Sequence, residues 1–432
     1  MEYWFLNIAG FSGSIFLLWM ITRISGDNLT HAHLFSIFWG ANLFASQVVL
    51  GTGGRPEIIT LIISFGAWWF FLVGSLLVIK RPFNRSHTFF DLKKTKAIVL
   101  LILLIILQWV SISYEVFSYE FWIEGPVFEL PTIYPTFRLS GLLSTVDLPW
   151  FFEIWRWGYV WYIPLAVILR SKGLISRKFL IGVISLAVLS TLIKFTRAPI
   201  IQVGIMALIS WILLYRPKPF RKFFLASNMA IFGILLFIAM QIFLILLDPF
   251  TRFSPFESMG AYIGGPIKAY EALLQGDFPR EGNGFYSFDA INFILFKLSL
   301  IEGYPHLVRP FTFIPTPTNL FTYLDAFTLD FGILGALIGS FTIGAIISWF
   351  YRKVRTSVNL TSLVIYCYLV YACIMAPMNN EFIRFNLIFS GIVAWILNLI
   401  IVKKPDKSIT FQHARNINFE AQRRNLAGKY SP

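Results

Sequence analysis

Residues Ile58–Ile79 read IITLIISFGAWWFFLVGSLLVI, an apolar run with no charged residue, closed off by Glu57 on one side and Lys80 on the other. About 20 apolar residues in a helix cross the hydrocarbon core of a bilayer. This stretch therefore predicts a membrane-spanning helix. Similar windows lie at Trp4–Thr22, Leu34–Leu50, Ala97–Ser113, Phe151–Leu169, Phe179–Ile193, Ile200–Tyr215, Phe223–Leu247, Phe331–Phe350, Leu360–Met375 and Phe385–Val402. Together they predict about 11 transmembrane helices. Composition agrees: of 432 residues, 57% are hydrophobic and only 13% charged, with 46 Phe and 14 Trp. A soluble domain carries about a quarter charged residues. A soluble enzyme, a disordered chain and a disulfide scaffold are excluded. The start of the chain lacks a basic n-region and a small-residue cleavage site, so the first span is expected to be retained.

The charges set the topology. The segments joining the spans alternate, and one set of them holds 25 of the 36 basic residues but, among the acids, only Asp27, Asp91, Asp406 and Glu420. Lys and Arg are retained on the cytoplasmic side. The N-terminus is then periplasmic and the C-terminus cytoplasmic, as an odd number of spans requires. The net charge of +14 reads as topology and contact with anionic membrane lipids. Nucleic acid is not an expected partner.

The chain reads as one integral membrane domain, 1–432, with two long outward loops, 114–150 and 248–330. The second is expected to carry interfacial helices: a helix-like stretch at Tyr262–Leu274 and an apolar run at Ile291–Ile301, which is too short to span. A proline-rich passage, Arg309–Asn319, predicts an extended, stiff segment. The short spans Phe179–Ile193 and Ile200–Tyr215 are joined only by Lys194–Pro199, which predicts a tight hairpin dipping into the bilayer.

The outward side carries the candidate chemistry. Arg197 sits in the hairpin turn, Arg252 follows the eighth span, Arg309 opens the proline-rich passage and Arg384 heads the last span. A planar guanidinium near a membrane is costly and is kept for a partner, and its fork of donors suits phosphate oxygens. The competing reading is interfacial snorkelling. Asp330, Glu302 and the loop histidine His306 could take a proton from a hydroxyl. On spacing alone, Asp330 also reads as a helix N-cap. Asn319 and Tyr323 suit a sugar. Glu153 and Arg156, three apart, are placed to pair. His31 and His33 alternate like metal ligands, yet no Cys or carboxylate cluster completes a site. A nucleotide-phosphate loop is absent.

The passage Thr318–Gly335, with Asn319, Thr322, Tyr323, Asp330 and Gly332, resembles the segment entering a late span in the Wzy-type oligosaccharide repeat-unit (O-antigen) polymerases. The pair Thr196–Arg197 after a short span, the large outward loop and Arg384 at the head of the last span are similar too. The resemblance implies an all-α polytopic fold like that of the membrane-embedded lipid-sugar transferases (GT-C-like). It implies a metal-independent glycosyltransferase of the bacterial inner membrane that needs no cofactor. Its substrates would be undecaprenyl-pyrophosphate-linked oligosaccharides, and a chain-length regulator would be its partner. In that reading Arg197, Asp330 and His306 are catalytic, while Arg252, Arg309, Asn319, Tyr323 and Arg384 hold substrate. An O-antigen ligase and a lipid-linked oligosaccharide flippase are the alternatives.

Overall fold

The computed structural model describes residues 2–48, 55–80, 92–122, 150–192, 197–215, 264–276, 284–302, 312–314, 316–318 and 320–402. The predicted span Phe223–Leu247 lies outside the described residues, as do most of loop 114–150 and the C-terminal tail. Among the described residues the helices are α1 (Glu2–Ser25), α2 (His31–Val48), α3 (Ile58–Val78), α4 (Lys94–Trp122), α5 (Trp150–Trp155), α6 (Tyr159–Ser171), α7 (Arg177–Leu192) and α8 (Arg197–Tyr215). They continue with α9 (Gly265–Gln275), α10 (Asp289–Lys297), α11 (Asp325–Thr356), α12 (Leu360–Met375) and α13 (Phe385–Ile401). Helix lies over ten of the predicted windows. Five helices, α1, α3, α4, α8 and α11, are long and apolar enough to cross a membrane, and α6, α12 and α13 are shorter and apolar. The protein is an α-helical membrane protein.

The most extensive helix pair is α3 with α11. Two glycines bring the backbones together. A Cβ on Gly74 would lie 2.1 Å from the Phe341 carbonyl oxygen, and one on Gly344 would lie 2.1 Å from that of Phe71. In lipid, where the hydrophobic effect does not drive helices together, such small residues supply close packing. Helix α11 is broken at Gly332, whose φ of 67° and ψ of −163° suit glycine alone. The break sets Asp325–Phe331 at an angle to the apolar run that follows.

Three expectations change. The window Phe151–Leu169 is two helices, because the chain turns at Trp155–Gly158 to approach α4. There Gln108 donates to the Arg156 carbonyl (3.1 Å), and a Cβ on Gly158 would press within 3.2 Å of the Gln108 Cβ. The proline-rich passage folds back on itself: Thr312–Ile314 pairs antiparallel with Thr316–Thr318. The helix in the second long loop, α9, is inserted among α2, α3 and α11 rather than lying on the surface. Its Ile267, Ala269 and Tyr270 are fully buried, and the Tyr270 hydroxyl bonds to Thr328 (2.8 Å). Helix α10, by contrast, exposes Ile291, Ile294 and Phe296, as an interfacial helix does.

A buried polar knot closes the end predicted to face inward. Asp27, fully buried, accepts from Arg355 Nη2 and from the Tyr351 hydroxyl, both at 2.6 Å, and from the Leu29 N–H at 3.0 Å. His31 Nε2 faces the hydroxyls of Ser348 (3.0 Å) and Ser75 (3.4 Å). His33 instead meets Thr22 and Thr30, each at 2.9 Å. Residues two apart on a helix point to different sides, so the two imidazoles serve different hydroxyls.

Candidate functional site

The loop Ala376–Arg384 joins α12 to α13 at the end predicted to face outward. Its entry continues the last turn of α12: Asn379 N–H donates to the Met375 carbonyl (2.9 Å). Two further bonds fasten it to the start of α11. Asn380 Nδ2 donates to the Tyr323 carbonyl (2.7 Å), and Tyr323 N–H donates to the Ala376 carbonyl (2.9 Å). The loop is thereby held on a rigid base.

Asn379 sits between two charged side chains. Its Oδ1 accepts from Arg384 Nη2 (3.1 Å), and its Nδ2 donates to Glu381 Oε1 (2.9 Å). The Tyr368 hydroxyl of α12 also lies in hydrogen-bonding reach of the Glu381 carboxyl. Tyr368 in turn reaches Gln202 of α8, whose Oε1 accepts from the Tyr159 hydroxyl of α6 at 2.8 Å. Tyr371, one turn along from Tyr368, meets it edge-on at 5.8 Å. Asp289, the first residue of α10, accepts from the Phe385 N–H at the start of α13 (3.3 Å). Five helices thus converge on one loop. Tyr159, Gln202, Tyr368 and Tyr371 form a buried floor, while Asn379, Glu381 and Arg384 form a partly exposed rim.

The electrostatics follow from that placement. Glu381 lies outside the spanning helices, yet burial raises its proton affinity above the usual carboxyl range. The positive charge of Arg384 and the Tyr368 hydrogen bond pull it back, and the negative charge of Asp289 raises it further. A carboxyl poised in this way can take up a proton when a neighbour releases one. The guanidinium beside it can hold an oxyanion.

The residues expected from the sequence are distributed unevenly about this cluster. Arg384 is in it, at the N-cap position of α13. Arg197 is the first residue of α8. Gln202 follows it by five positions, about 7.5 Å along the helix axis. Helix α8 reaches the floor of the cluster through Gln202, not through its first turn. Asp330 is turned to a neighbouring stretch of backbone. It does not cap α11, which begins at Asp325. Its carboxylate accepts the backbone N–H groups of Tyr286 (3.0 Å) and Ser287, and so fastens the chain leading into α10. Tyr323 does not face outward to a sugar. It is fully buried, its hydroxyl bonded to Ser340 (2.7 Å) and its ring edge-on to Trp39 (5.1 Å). Arg252, His306, Arg309 and Asn319 lie outside the described residues, as does the Glu153 side chain; Arg156 pairs with Glu115 at 3.6 Å.

Glu381, Tyr368, Tyr159, Gln202 and Asp289 are functional candidates that the sequence reading did not single out. Their signal was present as the tyrosines 366, 368 and 371 within one span and as the run Asn379-Asn-Glu-x-x-Arg384. Three tyrosines in a span are polar groups that each need a partner.

The Asp330 geometry yields a prediction. Asp330→Asn keeps the shape but turns an NH2 toward one of two backbone N–H donors. The expected cost is about 1–3 kcal/mol, with faster hydrogen exchange at Tyr286 and Ser287. Unchanged exchange at both amides would show that the carboxylate does not hold them.

No family model, curated protein or solved structure matches the chain.

Proposed function

We propose that the protein is a polymerase of lipid-linked oligosaccharide repeat units, of the Wzy type, built on a GT-C-like arrangement of eleven spans. In this reading it lies in the bacterial inner membrane, with its N-terminus periplasmic and its C-terminus cytoplasmic. It moves a growing glycan from undecaprenyl pyrophosphate to the non-reducing end of a new lipid-linked unit. The observation that carries the reading is the cluster around Asn379: an arginine and a carboxyl set in a rigid rim over a buried polar floor, at one end of an apolar bundle.

The chemistry suits those groups. The anomeric carbon is already activated by its diphosphate, so no nucleotide is required. As the C–O bond to the diphosphate breaks, negative charge grows on the leaving oxygen. A guanidinium fixed before the reaction stabilises that charge without rearranging. Arg384 takes this role, with Arg197 as a second candidate for the same charge. Arg252 and Arg309 are assigned to the remaining phosphate oxygens, and Asn319 to the sugar. His306 remains a candidate proton acceptor. Asp330 acts through the backbone that it anchors, and Tyr323 through the loop bonded to its carbonyl. A substrate with a long lipid tail accounts for a site at the edge of the bilayer. A chain-length regulator is the proposed protein partner.

Deleting the gene and running surface lipopolysaccharide on a gel tests the proposal. The expected product is lipid A core bearing a single repeat unit, because flipping and ligation survive. Core without any repeat would favour a ligase or a flippase. An unchanged ladder would remove the polymerase reading.

A further inference from the structure

Resting on the polymerase reading, we propose that Glu381 is the residue that accepts the proton of the attacking sugar hydroxyl, with Asn379 fixing its position relative to Arg384. The step balances as follows. The acceptor hydroxyl oxygen forms a bond to the anomeric carbon of the donor. The bond from that carbon to the diphosphate oxygen breaks, and its electron pair stays on the diphosphate. The hydroxyl proton goes to a Glu381 carboxylate oxygen and leaves to solvent after the glycan has moved.

Four observations support the assignment. First, a proton acceptor and an anion holder must face the same substrate, and Asn379 binds both: its carbonyl takes Arg384 Nη2 (3.1 Å) and its amide gives to Glu381 Oε1 (2.9 Å). Second, both side chains are partly exposed while what lies beneath them is buried. A bound substrate can reach them, and they cannot swing away into the floor. Third, the charged and titratable groups facing Glu381 are placed for proton transfer. Arg384 comes from α13, Asp289 from α10, Tyr368 and Tyr371 from α12, and Tyr159 from α6. Burial raises the proton affinity of the carboxyl and the charge of Asp289 adds to it, so a proton once accepted is held while the products part. Fourth, Asp330, a candidate for the role by sequence, has its carboxylate turned to the backbone of Tyr286 and Ser287.

A carboxyl that only shapes the loop would produce much of this geometry, so the test reads the chemistry. Purified protein in proteoliposomes is given lipid-linked repeat units extracted from a strain lacking the gene, and polymer formation is followed across pH. For the wild type, the rate should fall as pH drops through the raised Glu381 pKa, because the protonated carboxyl cannot accept. Glu381→Gln keeps an oxygen for Asn379 and removes the acceptor. It should lower kcat by about 10²–10⁴-fold, leave KM nearly unchanged and abolish the acid limb of the profile. Glu381→Asp should regain part of the rate with the limb displaced.

A wild-type kcat with an intact acid limb in Glu381→Gln would overturn the proposal, as would a rise in KM alone. If Glu381→Gln does not insert, Glu381→Asp decides: a displaced limb supports the role and an unmoved limb overturns it. No polymer from the wild-type protein would remove the polymerase reading and this inference with it. Polymer from the wild type together with an unaffected Glu381→Gln removes the inference alone.

Discussion

Asp27→Asn is expected to destabilise the protein by about 3–5 kcal/mol, enough to unfold much of it on extraction from the membrane. Asp27 has no exposed surface and Arg355 is 4% exposed, so each charge has the other as its substitute for water. The carboxylate serves three donors at once: Arg355, the Tyr351 hydroxyl and the Leu29 N–H. These come from the loop between α1 and α2 and from the far end of α11. The substitution therefore strands a guanidinium in an apolar interior and unfastens two parts of the bundle. The large cost belongs to breaking the pair, not to lacking it. Replacing both charges, Asp27→Leu with Arg355→Met, is expected to recover part of the loss, since apolar residues of similar size substitute for the buried pair while the Tyr351 hydroxyl and the Leu29 N–H lose their acceptor. Thermal unfolding in detergent, followed by size-exclusion chromatography, compares the two. A double variant as unstable as Asp27→Asn would show that packing, not the stranded charge, sets the penalty.

Arg384→Ala is expected to cut the rate of polymer formation by about 10²–10³-fold, or about 3–4 kcal/mol of transition-state stabilisation. The guanidinium is anchored by Asn379 and stands at the N-cap position of α13. The guanidinium acts on charge that grows only as the diphosphate departs, so binding of the lipid-linked substrate should weaken less than kcat falls. Arg384→Lys should not restore the rate. A single ammonium keeps the charge but cannot hold Asn379 and a phosphate through one planar fork. Single-turnover rates in proteoliposomes separate these effects. A Lys variant with wild-type kcat would reduce Arg384 to a source of charge alone.

The two substitutions act at opposite ends of the bundle, and the sequence made those ends legible to different degrees. Arg384 was readable as a candidate because an arginine at the mouth of an apolar span is costly and stands out locally. Glu381, three residues earlier, was not. Its carboxyl has meaning only beside Asn379, Tyr368 and Asp289, which α10 and α12 bring to it. Asp27 read as one of a few acids on the inward side. Nothing near it in the chain announces a partner more than three hundred residues away, at Arg355. Tyr323 read as an outward-facing aromatic because it precedes a span. It is buried because α11 begins two residues later and turns the ring toward Trp39 and Phe35. Asp330 read as a helix cap from its position ahead of an apolar run. The helix starts earlier and breaks at Gly332, which leaves the carboxylate free to take the Tyr286 and Ser287 amides.

Membrane character and helical class were determined by the sequence alone, because apolar length and composition are sums over neighbouring residues. Ile58–Ile79 is a span whatever it packs against. The site, the broken helix at Trp155–Gly158 and the burial of α9 were decided by tertiary structure. Each depends on which faces of distant helices touch. In lipid those faces are chosen by close contacts such as Gly74 with Phe341 and by buried polar groups finding one another, not by hydropathy. An apolar stretch shows that a helix enters the bilayer, and its few polar side chains acquire a role only from the neighbours that the fold supplies.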